Sequence, residues 1–330
     1  MSTLQPALLE RFSELVRAEG RVLLTGPQDA DGDSLGASLA LARVLRTHWG
    51  VEVDVAGVAS PAYAWLPDTD QLVADDVVKP VYSMVVVMDG DRHRLAPAVE
   101  QAFEQASTKA IVDHHRTTVS EGYDIALIDA ESPATCQMVL EMLDAWSLCL
   151  DTAAATLLYA GILFDTGGFR YSNTRPETHI AASRLLALGI PHADIAVRVL
   201  MERTRGGMRL AAAIQDGTEF KVSGQLALGA CTPALMARVG AEAHDLGGVV
   251  ESLLYIEGVE VSALLVHKGD ERTKLSFRSR GRVDVARLAK ELDPGGGGHA
   301  KAAGVVVNQS IERLKERLPE LIAARLQSGS

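Results

Sequence analysis

The chain has little with which to cross-link itself. Its three cysteines, Cys136, Cys149 and Cys231, are scattered through 330 residues without CxxC or CxxH spacing. That argues against a disulfide framework or a structural zinc and leaves them as small buried hydrophobes. Long apolar runs are also missing: the longest are strand-sized and broken by charge, too short to span a bilayer. The amino-terminal stretch MSTLQPALLERFSELVRAEG carries acids and bases at helical spacing in place of a signal-peptide pattern. A cytoplasmic location with no membrane partner is the resulting expectation. Positive charge is scarce as well. With 32 Lys+Arg against 43 Asp+Glu, a net charge of −11, the chain is unsuited to broad duplex binding, which neutralises many phosphates. A short nucleotide held in a local basic pocket is still allowed. No internal repeat is visible, and low complexity is confined to Gly295 to Gly298.

What is there suffices for two domains with real cores, since 47% of the residues are hydrophobic and 23% charged. After an amphipathic first helix, residues 21–26 read as a strand, a Gly/Asp-rich loop follows, and residues 35–47 read as a helix stopped near Gly50. Further β-branched runs at 51–57, 84–88, 109–112 and 125–128 alternate with helical stretches near 96–106, 134–147 and 152–164. This alternation predicts an α/β domain with a largely parallel sheet flanked by helices, where ligands sit beyond the carboxyl ends of the strands. Residues 191–214 read as a charged helical connection, with Gly206-Gly207 as its break. Strands at 219–222, 225–230, 259–266 and 273–277, with helices near 246–256, 283–292 and 310–326, predict a second, smaller α/β domain. The expected division is therefore 1–190, 191–214 and 215–330.

The chemistry-bearing residues fall at the strand ends of the first domain. Asp31 and Asp33 lie two apart in DADGDSLGAS, with Gly32 between them to permit a tight turn. They suit a divalent cation such as Mn²⁺ or Mg²⁺, or they cap the helix expected to start near Ser34. Asp89 ends the apolar run Met84 to Met88, where an acid calls for a cation unless it lies in a surface turn. Asp113, His114 and His115 end the run Ile111-Val112; on an extended segment the two imidazoles point to opposite sides, dividing a metal ligand from a phosphate contact. Asp165 enters Asp165-Thr166-Gly167-Gly168-Phe169-Arg170, a carboxylate beside flexible backbone with Arg170 able to meet an anion.

In the second domain, GGGGHAKAAG contains Gly296, Gly297, Gly298 and His299, a backbone that can approach a phosphate or carboxylate closely and lead into a helix or turn. Residues 272–290 carry Arg272, Lys274, Arg278, Arg280, Arg282, Arg287 and Lys290 against Asp284 alone. With Ser276 and Arg278 on a strand beside the glycines, this region favours anion binding.

Taken together, DADGDSLG, VVVMDGD, IVDHH, FDTGGF and GGGGHAKAAG resemble the DHH phosphoesterase superfamily with its DHH-associated carboxyl-terminal domain, most closely the NrnA-type oligoribonucleases. The likeness runs in order over residues 20–307. It implies a two-metal, usually Mn²⁺-dependent phosphoesterase, Mg²⁺ being the other choice, with its active site between the domains. Such enzymes hydrolyse very short single-stranded RNA and dinucleotides to mononucleotides, and many dephosphorylate 3′-phosphoadenosine 5′-phosphate. By motif, Asp31 would bind one metal, Asp33, His114 and Asp165 the other, and Asp89 would bridge them. His115 would face the scissile phosphate, Asp113 would orient the histidines, and Arg278 with His299 and its glycines would hold the substrate's terminal phosphate. Family members usually carry a metal-binding histidine where this chain has Pro27, which cannot ligate through its side chain. Gln28, Asp29 or His93 are candidate replacements; the alternative is a first metal that binds weakly and is completed by substrate phosphate. Two other readings follow: a nucleotide-binding regulator whose catalysis has lapsed, and a phosphodiesterase for linear or cyclic dinucleotides. The resemblance also leaves room for a homodimer.

Overall fold

Parallel strands covered by helices on both faces bury nearly every side chain, so they are written as continuous apolar runs. Five such runs form the first sheet: β1 (Arg21–Thr25), β2 (Glu52–Ala56), β3 (Met84–Met88), β4 (Thr108–Asp113) and β5 (Ile125–Ile128). They are ordered β2-β1-β3-β4-β5 and all pairs are parallel. The structure, a computed structural model, describes residues 4–18 and 20–328. Met1 to Thr3 and Glu19 of the amino-terminal stretch analysed above lie outside the described residues.

The helices of this unit are α1 (Pro6–Ala18), α2 (Gly32–Trp49), α3 (Pro97–Gln105), α4 (Thr135–Ala145), α5 (Thr152–Asp165), α6 (Pro176–Leu186) and α7 (His192–Ala196). Because successive strand residues face opposite ways, Val22, Leu24, Val86 and Val112 enter one core with α1, α2, α4 and α5. Leu23, Val85, Val87 and Ile111 enter the other with Val99 and Phe103 of α3. α5 is apolar all round, as a helix buried on every side must be. The chain leaves β1 to one side through β2 and returns to the other through β3. That makes the carboxyl ends of β1 and β3 a switch point, where such sheets open a crevice.

Two compact units divide the chain, Met1–Glu202 and Arg203–Ser330, so the break falls inside the helical stretch 191–214. It does not fall at Gly206-Gly207. After α7 a π-helical turn, Val197–Met201, ends at Glu202, and α8 (Arg205–Asp216) runs straight through the two glycines with Thr204 as its cap. A Cβ at Gly206 would lie 2.2 Å from the Gly240 carbonyl oxygen, so glycine there serves close packing.

The second unit is a mixed sheet of β6 (Glu219–Lys221), β7 (Leu226–Cys231), β8 (Val261–His267), β9 (Thr273–Ser279), β10 (Gly297–His299) and β11 (Ala302–Val307). Its order is β10-β11-β9-β8-β7-β6, with β7 and β8 parallel and the other neighbours antiparallel. α9 (Pro233–Val239), α10 (Val249–Leu254), α11 (Val285–Leu292) and α12 (Ile311–Ser328) complete it. Leu275 and Phe277 pack with α11 and α12, whereas Leu264 and Val266 pack with α8 and α10. No helix among the described residues is long and apolar enough to cross a membrane. Cys136 and Cys231 are buried as expected, but Cys149 is exposed.

Candidate metal centre

Each acid of the site is aimed by the end of an element. Asp31 is the cap of α2: its Oδ1 accepts from the Asp33 and Ser34 amides at 3.0 and 3.1 Å. Gly32 is the first residue of that helix and makes no special turn. A Cβ there would press on the Tyr63 and Phe164 rings at 3.2–3.4 Å, so a larger residue would make both yield by a few tenths of an ångström. Asp33, one residue further, is fully buried, and both its oxygens are gripped by the first amides of α4. Thr135 N donates to Oδ2 at 2.6 Å and Cys136 N to Oδ1 at 2.9 Å, so the carboxylate sits on a helix amino terminus. Asp89 follows β3 in left-handed backbone (φ 60°), a conformation that aspartate tolerates better than most residues. Its amide continues the sheet to Val112 O, and its Oδ1 accepts from the Thr135 hydroxyl at 3.1 Å. Asp165 is the last residue of α5, and Asn173 Nδ2 donates to its carbonyl oxygen at 3.1 Å.

The two imidazoles do not diverge as an extended segment would require. β4 ends at Asp113, the chain turns, and the rings of His114 and His115 lie 4.6 Å apart, both beside Asp89. His114 has Nδ1 3.3 Å from Ser132 O, which turns Nε2 into the acid cluster. There Nε2 is 3.0 Å from Asp165 Oδ2, 3.4 Å from Asp89 Oδ1 and 4.0 Å from Asp33 Oδ2. It is buried and makes no hydrogen bond. His115 is more open, and both its amide and its Nδ1 meet Asp113 Oδ1, at 3.2 and 2.7 Å. The Thr118 hydroxyl donates to the other oxygen of the buried Asp113.

The electrostatics describe carboxylates crowded together out of water. Burial, followed by the charges of Asp89 and Asp165, pushes Asp31 up to about 8 despite its two amide bonds. The same two causes carry Asp33 well above the usual carboxylate range, and burial raises Asp165. Burial would raise Asp89 too, but the His114 imidazole beside it and the charge of His115 outweigh that and hold it below the usual range. Burial alone would lower His114; the carboxylates of Asp165 and Asp89 beside it instead drive it up to about 12.

A divalent cation fits these donors. An orphaned buried nitrogen surrounded by three carboxylates is costly unless a cation takes its lone pair and their charge together. Two groups of three, Asp33/His114/Asp165 and Asp89/His114/His115, bring their ligand atoms within 4.8 Å of one another. Asp31 belongs to neither. The proposed replacements for Pro27 stand away from this cluster: Asp29 is exposed and bound to Arg94 at 2.8 Å, and the His93 side chain is 77% exposed beside Asp91. Gln28 is exposed, and Pro27 packs against Gly90.

In the second unit the glycine segment leads into a turn, the one of the two expected continuations that is not a helix. Gly297, Gly298 and His299 form β10 of a hairpin with β11, and Gly296 is buried where a Cβ would lie 2.5 Å from Ala289 O. Ser276 and Arg278 lie on β9 as expected, opposite Gly304 and Ala302. The basic run is largely engaged within the unit. Arg280 donates to Val259 O and Leu254 O, Arg282 to Gln225 and Leu326 O, and Arg278 is paired with Glu251 at 2.5 Å. Arg170, in the first unit, is exposed and its Nε donates to Gly167 O. Thr135 escaped the sequence reading altogether; the only hint was a hydroxyl opening the helix after Ser132-Pro133.

The DHH family's N-terminal domain matches residues 21–162 and the DHHA1 domain matches residues 232–327. The chain is 32% identical over 318 residues, 93% of its length and 92% of the relative's, to the "Bifunctional oligoribonuclease and PAP phosphatase NrnA" of Thermus thermophilus. It is 26% identical to the "Cyclic-di-AMP phosphodiesterase GdpP" of Geobacillus thermodenitrificans, of which it spans 48%. The crystal structure of an exopolyphosphatase-related protein from Bacteroides fragilis shares the fold, with a TM-score of 0.90 over 99% of both chains at 22% identity.

Proposed function

The chain belongs to the DHH family of metal-dependent phosphoesterases, in its NrnA-type branch with a DHHA1 domain, and from that premise we propose that it hydrolyses very short oligoribonucleotides to mononucleotides. The same site would take the phosphate from 3′-phosphoadenosine 5′-phosphate. One observation carries this reading: the buried, unbonded Nε2 of His114 faces Asp33, Asp89 and Asp165 beyond the carboxyl ends of a parallel sheet. Asp33, Asp89, His114 and Asp165 would hold divalent metal, Mn²⁺ first and Mg²⁺ second, with Asp31 beside them. When bound there, such ions neutralise phosphoryl oxygens and acidify water.

The rest is done by the chain. Asp113, itself fixed by Thr118, accepts from His115 and thereby sets the tautomer that leaves Nε2 to face the scissile phosphate. The grip of the α4 amides fixes the orientation of the Asp33 carboxylate. Arg278, Ser276, His299 and Gly296 to Gly298 would receive the terminal phosphate and nucleotide, with Arg170 a further anion contact. In this reading residues 1–190 carry the chemistry, 191–214 connect and 215–330 bind. A substrate made inside the cell suits a cytoplasmic enzyme.

Incubation with Mn²⁺ or Mg²⁺ and a 5′-phosphorylated dinucleotide should release mononucleotides, and Asp89→Ala should abolish turnover. Near-normal activity in that variant removes the mechanism, and tight binding without product would favour a lapsed regulator. Arg278→Ala should mainly raise KM, leaving kcat within a few-fold. The likeness to GdpP makes cyclic di-AMP the comparison substrate; preferred turnover of it would replace the oligoribonuclease reading.

A further inference from the structure

We infer that the resting protein holds one divalent cation, and that a second is taken up together with the substrate, whose phosphate oxygens complete its coordination. The inference rests on the phosphodiesterase reading above and departs from the expectation of two resident ions.

The reason lies in the donors. Both ligand groups draw on His114. Its Nδ1 faces Ser132 O at 3.3 Å, so Nε2 is the nitrogen turned toward the acids. One imidazole nitrogen has one lone pair to give, so the two groups compete for a single ion and do not add up to two sites. Asp33 and Asp165 with Nε2 form the more enclosed set; their side chains are 0% and 20% exposed and that of His114 is 8% exposed. An ion on the other side would have to rely on Asp31, Asp89 and His115. Asp31 Oδ1 and Asp89 Oδ1 accept bonds just as both oxygens of Asp33 do, so the carboxylates do not separate the two sets; the nitrogen does. His115 Nδ1 is bound to Asp113, and its side chain is 30% exposed. That leaves a few carboxylate lone pairs and one half-open imidazole, a set that a phosphate group would complete with hard, negative oxygens.

The test is a calorimetric titration of the metal-free protein with Mn²⁺, alone and then with saturating AMP, alongside electron paramagnetic resonance. One equivalent without AMP and two with it are expected, with a spin-coupled dimanganese signal only in the second case. Two tight equivalents in Mn²⁺ alone would overturn the inference. So would one equivalent under both conditions in a preparation that hydrolyses dinucleotide. Asp165→Asn should remove the first equivalent. Asp31→Asn, whose amide oxygen can still cap α2, should keep the first and lose the AMP-dependent second; loss of the first would contradict the assignment. If the protein cleaves no dinucleotide, the oligoribonuclease reading fails separately, while the count in Mn²⁺ alone still decides the resident stoichiometry.

Discussion

Thr135 touches two acids from different parts of the sheet edge, giving its amide to Asp33 in α2 and its hydroxyl to Asp89 after β3. Replacing it with valine keeps the shape and the amide but deletes the hydroxyl, leaving one Asp89 oxygen without its partner. Groups that orient metal ligands typically contribute 10–100-fold to affinity. Thr135→Val should therefore weaken Mn²⁺ binding by about that factor, and Thr135→Ser should restore it; equal affinities in a Mn²⁺ titration would show the hydroxyl to be incidental. The acids were legible in the sequence because a charge that ends an apolar run stands out. Thr135 was not, because a hydroxyl at a helix start is ordinary until the fold lays that helix over the sheet. The direction of the two imidazoles was misread for a related reason: the alternation rule holds within β4 and stops at Asp113, where the strand does.

At the level of elements, the metal site depends on how closely α2, α4 and α5 approach. A Cβ on Gly161 in α5 would lie 2.3 Å from Cys136 Sγ and 2.8 Å from Asp33 Oδ1. Overpacking of this kind costs about 1–3 kcal/mol. Gly161→Ala should lower the melting temperature and weaken cation binding together. Adding Cys136→Ala should recover much of the stability, since it vacates the sulfur's space, but not the affinity, since the clash with Asp33 remains. Parallel recovery of both would place the effect in packing alone. The strands of the first sheet were readable because burial on both faces forces unbroken apolar runs. β10 was hidden in glycine, which has no strand preference and reads as a cradle. α6 and α9 went unread although Pro176 and Pro233 each stand in the first turn, where proline marks a helix start.

For the whole molecule the buried acids set the pH dependence. The folded protein raises Asp31 from 3.8 to about 8 and raises Asp33 as well, so it binds more protons than the unfolded chain. Stability of the metal-free protein must then fall as pH rises across that window. His114, raised from 6.5 to about 12, acts in the same direction at higher pH. Asp89, held low, acts oppositely, its contribution being lost only as pH falls into the acid range. A divalent cation takes the place of these protons, so the thermal stabilisation by Mn²⁺ should grow between pH 5 and pH 8. Scanning calorimetry at the two values measures it, and an unchanged difference would mean the acids do not face the ion. Every member of both ligand groups lies before Glu202. The candidate metal ligands are thus carried whole by the first unit. On the proposed reading, changes in the remainder would retune which nucleotides are accepted, generation after generation, without reopening the question of how the bond is broken.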